Sequence, residues 1–317
     1  MVCYEKINFQ EEKMLFNTWL QLWLTNYVKP SVKTRTVERY AQIVRTHIAE
    51  TIGDKEIEEL TPIVLQSYIS ELLQSGNKKT GKGLSANTTN AVISVIQSSL
   101  KTAHALGFVG TYAASMLRRP RIVEKKVECF SLIEQKKIEN AVLSSKKTKS
   151  FGVLLCLYTG LRIGELLALK WSDIDLLKGI LTVSHSCHDS NCGLIFDTPK
   201  TDTSRRMIPL PKQLLPIIKR IKKNADSEFV VSHNGKPVAV RSYQRSFELL
   251  LKKLHIAHRG FHSLRHTFAT RALECGMDVK TLSELLGHKN PTITLNRYAH
   301  SLMEHKQDMM NKLGKLL

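Results

Sequence analysis

With 317 residues, 42% of them hydrophobic and 24% charged, the chain is long enough for two domains with cores of their own. Its composition fits a globular fold rather than a disordered or fibrous one. Forty-seven Lys and Arg against 28 Asp and Glu leave a net charge of +19, which points to a polyanionic partner, nucleic acid before membrane. No apolar run reaches the length of a membrane span, no secretory leader opens the chain, and six cysteines scattered from Cys3 to Cys275 make no disulfide framework, so the cytoplasm is the expected compartment.

From Met14 to Val28, the residues Leu15, Phe16, Trp19, Leu20, Trp23 and Leu24 make a wide helical stripe that Lys29-Pro30 breaks. A second helix, from about Thr34 to Ile48, carries Arg35, Arg39 and Arg45 beside Val37, Tyr40, Ile43 and Val44. Thr61-Pro62 opens a third as N-cap and first helical residue, with Leu65, Tyr68, Ile69 and Leu72 on its apolar side. Gly76 to Gly83 resembles a phosphate loop in composition only, since no strand precedes it and the P-loop spacing is absent. It reads as a solvated loop whose Lys78, Lys79 and Lys82 can touch a DNA backbone. A fourth helix runs from about Asn87 to Leu106.

Leu117 to Glu128 reads as a linker, basic and proline-broken, with Arg118, Arg119, Arg121, Lys125 and Lys126. Ser131 with Glu134 is a capping-box signature that starts new helical structure. The net charge is +2 over residues 1–116, +3 over 117–128 and +14 beyond. The C-terminal piece is therefore expected to grip the polyanion, with the linker tracking it.

That piece opens with a buried helix pair, Gly152 to Leu169, hinged at Thr159-Gly160. Three short strands follow at Ile180–Val183, Leu194–Phe196 and Arg206–Leu210, separated by turn residues, and predict one small antiparallel sheet. Phe229 to Val231 reads as a brief extra strand. Helices are expected at about 211–223, 241–254, 262–275 and 279–287, and the tail from Ser301 has irregular helical spacing. His185, Cys187, His188 and Cys192 invite a zinc reading, but their spacing matches no common zinc module and they fall in an apparent hairpin. No metal is expected there.

Two clusters carry chemistry. In the first, Arg162 sits in the apolar run Tyr158 to Leu169, where an arginine needs a partner or an anion. Glu165, three residues on, shares its face and can orient it. In the second, His262 and Arg265 share one face of a helix, Leu285-Leu286-Gly287-His288 follows, and Asn290-Pro291 caps a short helix with Tyr298 on its second turn. A cation, two imidazoles and a phenol together suit an anionic centre such as a phosphodiester.

These clusters resemble the tyrosine recombinase, or phage integrase, family. The likeness is carried by Thr159-Gly160-Leu161-Arg162-Ile163-Gly164-Glu165, a β-turn lysine at Lys200, the His262/Arg265 pair, Leu286-Gly287-His288 and then Tyr298, in order from 159 to 298. It is looser over 14–116, which resembles the family's helical core-binding domain. Tyr27 to Lys33 and Leu169 to Asp175 look most like integrases of conjugative transposons and temperate phages.

The resemblance implies a mainly α fold with a small antiparallel β-sheet, in two domains that embrace a duplex. These are a core-binding domain over 14–116, a basic linker over 117–128, and a catalytic domain over 129–317 whose tail past Tyr298 is exchanged between protomers. It implies a catalytic set of Arg162, Lys200, His262, Arg265, His288 and Tyr298, supported by Glu165. DNA contacts are expected from Arg35, Arg39, Arg45, Lys78, Lys79, Lys82, Arg118, Arg119 and Arg121. The two arginines would clamp the non-bridging oxygens, His262 would take the phenol proton, Lys200 would protonate the departing 5′ oxygen and His288 would donate to the phosphate.

The implied product is a 3′-phosphotyrosyl link, which conserves the phosphodiester's energy, so that no cofactor, metal or ATP is expected. The implied partners are double-stranded DNA, a dimer on one site and a tetramer in synapsis, with an excisionase or DNA-bending protein as accessory. The implied location is the bacterial cytoplasm, on the nucleoid. Many relatives in this subgroup begin with an arm-binding domain. Here only Met1 to Lys13 precede the first helix, so a simpler recombinase or a truncated chain is expected, without arm-site binding.

Three other readings compete. A type IB topoisomerase-like strand relaxer would use similar chemistry on one duplex and would relax plasmid lacking any recombination site. A non-catalytic DNA-binding regulator would be expected to have lost at least one member of the set. A zinc-dependent nuclease would lose cleavage in EDTA.

Overall fold

The computed structural model describes residues 14–123, 128–145, 148–190, 192–197, 205–288 and 290–298, with 310, 311 and 314 of the tail. Lys200, Lys125, Lys126 and nearly all of the segment beyond Tyr298 lie outside the described residues. The chain divides into two compact units, Met1–Glu124 and Lys125–Leu317.

The first unit is helical. α1 (Phe16–Trp23) and α2 (Thr34–Ile43) each continue into a wider π-helical turn, Leu24–Val28 and Val44–Ile48, and are followed by α3 (Pro62–Ser75) and α4 (Ala86–Ala105). The stripe on α1 is the core: Phe16, Trp19, Leu20 and Trp23 are all buried, each contributing about 1.5–3 kcal/mol of transfer free energy. Their indoles do not lose their polar ends. Trp19 Nε1 donates to the Ser99 carbonyl at 3.3 Å and Trp23 Nε1 to Thr102 Oγ1 at 3.3 Å, both on α4. The expected Thr61 cap is present, accepting from Val64 N at 3.3 Å, and Ser85, which was not anticipated, caps α4 by accepting from Thr88 N at 3.2 Å.

Part of the basic segment after α4 is tied to this unit. Leu117 is buried in its core, Arg118 N donates to Gln66 Oε1 at 3.0 Å, and Arg119 donates to Gln97 Oε1 at 2.7 Å and to Ser94 Oγ at 3.2 Å. Arg119 is thus tied to α4 although it is exposed, as are Arg35, Arg39, Arg45, Lys79, Lys82, Arg118 and Arg121. Lys78, also exposed, pairs with Glu50.

The second unit begins with α5 (Leu132–Leu143), whose capping box forms as expected: Ser131 N donates to Glu134 Oε2 at 2.8 Å, and Glu134 N to Ser131 Oγ at 3.2 Å. α6 (Thr148–Thr159) and α7 (Ile163–Ala168) follow, separated by Gly160 in the left-handed region at φ 64°. Then come β1 (Ile174–Asp175), β2 (Ile180–Val183), β3 (Ser186–Ser190), β4 (Gly193–Asp197), β5 (Arg206–Pro209), α8 (Leu215–Lys223), β6 (Ser232–His233), β7 (Lys236–Pro237), α9 (Val240–Lys253), α10 (His262–Glu274), α11 (Val279–Leu286) and α12 (Pro291–Tyr298). The fold is mainly α with small antiparallel sheets. Among the described residues, no helix is long and apolar enough to cross a membrane.

Two strand expectations are corrected. Instead of one sheet from the strands at 180–183, 194–196 and 206–210, β2 lies between β1 and β5, and β4 pairs with β3 in a separate hairpin, Cys187 opposite Phe196. The polar run Ser186 to Ser190 lacks the alternation that marks a strand, yet Gly193, at φ 110°, lets it fold back on β4. Phe229 to Val231 is also no strand. Val230 and Val231 are fully buried, Val230 N donates to the Leu169 carbonyl at 2.9 Å, and Phe229 makes a single bridge to Lys170. The two-residue strands flank Asn234 and Gly235, whose positive φ angles of 51° and 73° suit a tight hairpin turn.

Candidate active site

Arg162 stands at the N-cap of α7, and Glu165 is that helix's third residue, so the two are one turn apart by construction. Arg162 N donates to Glu165 Oε2 at 2.9 Å and Nη1 to Oε1 at 2.7 Å. The same carboxylate takes both Nη groups of Arg206, at 3.1 and 2.8 Å. Burial by itself would raise the Glu165 pKa. The hydrogen bond and charge of Arg206, and then the charge of Arg162, overcome that and hold it at about 2. Glu165 is therefore ionised at any working pH.

α10 places Arg265 one turn after His262, as its sequence spacing predicts. Arg265 is 2% exposed. Its Nη1 donates to the Gly160 carbonyl at 2.8 Å, and its Nη2 to the Leu286 carbonyl at 2.7 Å and to His288 Nε2 at 2.9 Å. A guanidinium has no acceptor, so Nε2 of His288 must accept. Its Nδ1 then carries the proton and donates to Thr294 Oγ1 at 2.7 Å. In this structure His288 is thus an acceptor toward Arg265, where a donor toward phosphate was expected. Burial, then the neighbouring charge of Arg162, lowers the Arg265 pKa to about 9, Glu165 pulling the other way. It stays charged at neutral pH.

The C-terminal end of α11 gathers the arginines. The carbonyls of Leu285, Leu286 and Gly287 each accept from a different one: Arg206 Nε at 2.6 Å, Arg265 Nη2 at 2.7 Å and Arg162 Nη2 at 3.1 Å. Gly287 permits the turn with φ 64°. The result is three guanidiniums on three successive carbonyls, two of them sharing the Glu165 carboxylate, an excess of positive charge suited to a phosphodiester and to the charge that builds on it during transfer.

Tyr298, the last residue of α12, is 3% exposed and packs with Ala269, Ala272, Leu273, Leu282 and Leu286. Its hydroxyl is hydrogen-bonded to His266 Nδ1 at 2.7 Å. His262, the expected proton acceptor, meets the His266 ring edge-on with centroids 4.6 Å apart, so His266 stands at the phenol and His262 one ring further out. The structure thus brings Arg162, Glu165, His262, Arg265, His288 and Tyr298 into one locality, and Lys200 lies outside the described residues.

Arg206, His266 and Thr294 were missed from the sequence. Arg206 had a usable signal, for with Ile208 and Leu210 facing inward, strand alternation puts Arg206 on the same buried face. His266 follows His262 by four residues, a weaker cue. Of the residues that invited a zinc reading, Cys187 is buried in the core, His188 Nδ1 lies 3.4 Å from Asp197, and Cys192 is exposed at the turn. Among the described residues, no group of three or more His, Cys, Asp or Glu is arranged to hold a metal.

The chain matches the family model described as "Phage integrase family" over residues 131–305, and that of "Phage integrase, N-terminal SAM-like domain" over 15–73. It is 28% identical to a tyrosine recombinase XerC-like protein of Caldanaerobacter subterraneus subsp. tengcongensis, across 98% of this chain and 85% of that one. Among solved structures, its fold resembles the Tn1549 transposon integrase in complex with a circular intermediate DNA (TM-score 0.78, 23% identity, 95% of this chain and 99% of that one). It also resembles a lambda integrase tetramer bound to a Holliday junction (TM-score 0.70, 21% identity, 88% of this chain and 79% of that one). By sequence across most of its second unit, and by the arginine, histidine and tyrosine boxes that this unit assembles, the chain belongs to the phage integrase family.

Proposed function

We propose that this chain is a site-specific DNA recombinase that integrates and excises a mobile element through a 3′-phosphotyrosyl intermediate. The observation that carries the reading is the pairing of Arg162 and Arg206 with the carboxylate of Glu165, with Arg265 held on the Gly160 and Leu286 carbonyls and a phenol hydrogen-bonded to an imidazole. Arg162 and Arg265 take the non-bridging oxygens of the scissile phosphate. The Tyr298 oxygen attacks phosphorus, its proton passes to His266 at its hydroxyl, with His262 beside that ring, and the P–O5′ bond breaks. Lys200 protonates the departing 5′ oxygen, and His288 joins the phosphate once Arg265 turns to it. Attack by another 5′-hydroxyl reverses the step with the new partner, so no energy source is consumed.

The folds of the Tn1549 integrase on circular intermediate DNA and of the lambda integrase tetramer on a Holliday junction support duplex DNA as the substrate and a homo-tetramer as the synaptic assembly. The domain roles follow the same reading: 14–116 binds core DNA, 117–128 links, and 129–317 cuts and rejoins. The tail beyond Tyr298 is exchanged between protomers, and an excisionase or DNA-bending protein sets direction. Arg35, Arg39, Arg45, Lys78, Lys79, Lys82, Arg118 and Arg121 contact the backbone, and the protein works in the bacterial cytoplasm on the nucleoid.

The test is a nicked suicide duplex carrying the end junction of the element that encodes this chain, incubated in EDTA with wild type and with Tyr298→Phe. A covalent adduct on a denaturing gel with wild type alone is the expected result. A shifted band on a native gel without any adduct would sink the catalytic reading in favour of binding alone.

A further inference from the structure

Arg206 is a buried cation that the chemistry above does not use. Its side chain is 6% exposed, against 37% for Arg162, and its Nε and both Nη groups are already engaged by the Leu285 carbonyl and the Glu165 carboxylate, so it is Arg162 that faces outward. Both share Glu165, in different ways. Arg206 takes both carboxylate oxygens, at 3.1 and 2.8 Å, and so sets the plane of the group, while Arg162 Nη1 meets Oε1 alone at 2.7 Å.

The second support of Arg162 depends on Arg206 as well. Arg162 Nη2 donates to the Gly287 carbonyl at 3.1 Å. The backbone of Gly287 lies directly on Arg206, since a Cβ there would stand 3.0 Å from its Nη1, and Arg206 Nε holds the preceding Leu285 carbonyl at 2.6 Å. Each acceptor that aims the Arg162 side chain is therefore fixed from behind by the same buried guanidinium. Lysine could not replace it, because one ammonium cannot serve both carboxylate oxygens and a carbonyl in this fork geometry.

We propose that Arg206 is a positioning residue for strand cleavage, clamping Glu165 and the Leu285–Gly287 turn from inside the fold so that Arg162 presents its guanidinium to the scissile phosphate. This rests on the recombinase reading. A buried pair that only stabilised the fold would lower the melting temperature when broken and would leave the cleavage rate of the folded fraction alone.

The experiment compares wild type, Arg206→Lys and Arg206→Met on suicide DNA, with the folded fraction fixed by thermal melts and affinity measured by native gel. Three substrates are used: an ordinary scissile phosphodiester, a methylphosphonate that removes the negative charge Arg162 would meet, and a 5′-bridging phosphorothiolate whose leaving thiol needs no proton. The expected result is affinity within about threefold of wild type, with cleavage of the ordinary bond slowed by about 100-fold. The deficit should shrink below about tenfold on the methylphosphonate and persist on the phosphorothiolate. If Arg206→Met does not fold, Arg206→Lys alone carries the comparison.

Equal deficits on all three substrates, or relief by the phosphorothiolate instead, would overturn the assignment while leaving the recombinase reading intact. No adduct from wild type on any substrate would overturn both.

Discussion

The hydroxyl of Tyr298 and Nδ1 of His266 lie 2.7 Å apart, and the phenol is 3% exposed. A nucleophile held so far inside must swing outward to meet phosphorus, and the imidazole already bonded to its oxygen is well placed to take the proton. Replacement of His266 by Leu is expected to slow covalent adduct formation by about 100-fold, the lower end of general-base effects, with DNA binding unchanged on a native gel. Adduct formation at the wild-type rate would assign the proton to another group.

The pH dependence of stability should carry the mark of Glu165. Its folded pKa is lowered to about 2, so its contribution is complete above the unfolded value near 4.5, and is lost as pH falls through that window toward 2. A shift of this size corresponds to ~3 kcal/mol. Thermal melts from pH 5 to 2 should show a shallower decline for Glu165→Gln than for wild type, from a lower starting point. Parallel curves would refute the assignment.

Gly160 occupies a position that only glycine suits. At φ 64° an added Cβ would lie 2.5 Å from the Phe268 ring and 2.9 Å from Leu286, and the Gly160 carbonyl takes an Arg265 hydrogen bond. Gly160→Ala is expected to destabilise the chain by ~2–4 kcal/mol through left-handed strain and overpacking. Differential scanning calorimetry measures it, and a loss below about 1 kcal/mol would mean that the ring moves aside freely.

The basic residues of the first unit should separate into two kinds. Arg35, Arg39 and Arg45 are exposed, so each alanine variant should weaken binding to all duplexes alike and reduce the salt slope by about one. Arg119, tied to Gln97, Ser94 and Asn90, should instead lose ~1 kcal/mol of stability on truncation. Melts and salt titrations of the four variants distinguish the two. A full unit of salt slope lost at Arg119 would place it on the DNA.

Local signals were the legible ones. The Thr61 and Ser131 caps, the Arg162/Glu165 turn and the His262/Arg265 face each lie within four residues, where helix geometry alone decides who meets whom. What could not be read was pairing over distance. β2 finds β5 rather than β4, and β3 is polar enough to hide. Arg206 reaches residues 41 and 79 positions away, a meeting that only the folded sheet creates. His266 was overlooked because His262 fits the same expectation by spacing, and only the observed path of α12 decides which ring the phenol finds.

The turn that closes α11 has a consequence for how the site tolerates loss. The C-terminal pole of a helix carries a partial negative charge on its last carbonyls, a poor place to hold a phosphate. Here the carbonyls of Leu285, Leu286 and Gly287 are each covered by a guanidinium, so a repulsive pole becomes an attractive one. Removing any one arginine both subtracts a cation and uncovers an oxygen of the wrong sign. Single losses should therefore be disproportionately severe, and double losses less than additive, because the polarity of the site reverses as a unit.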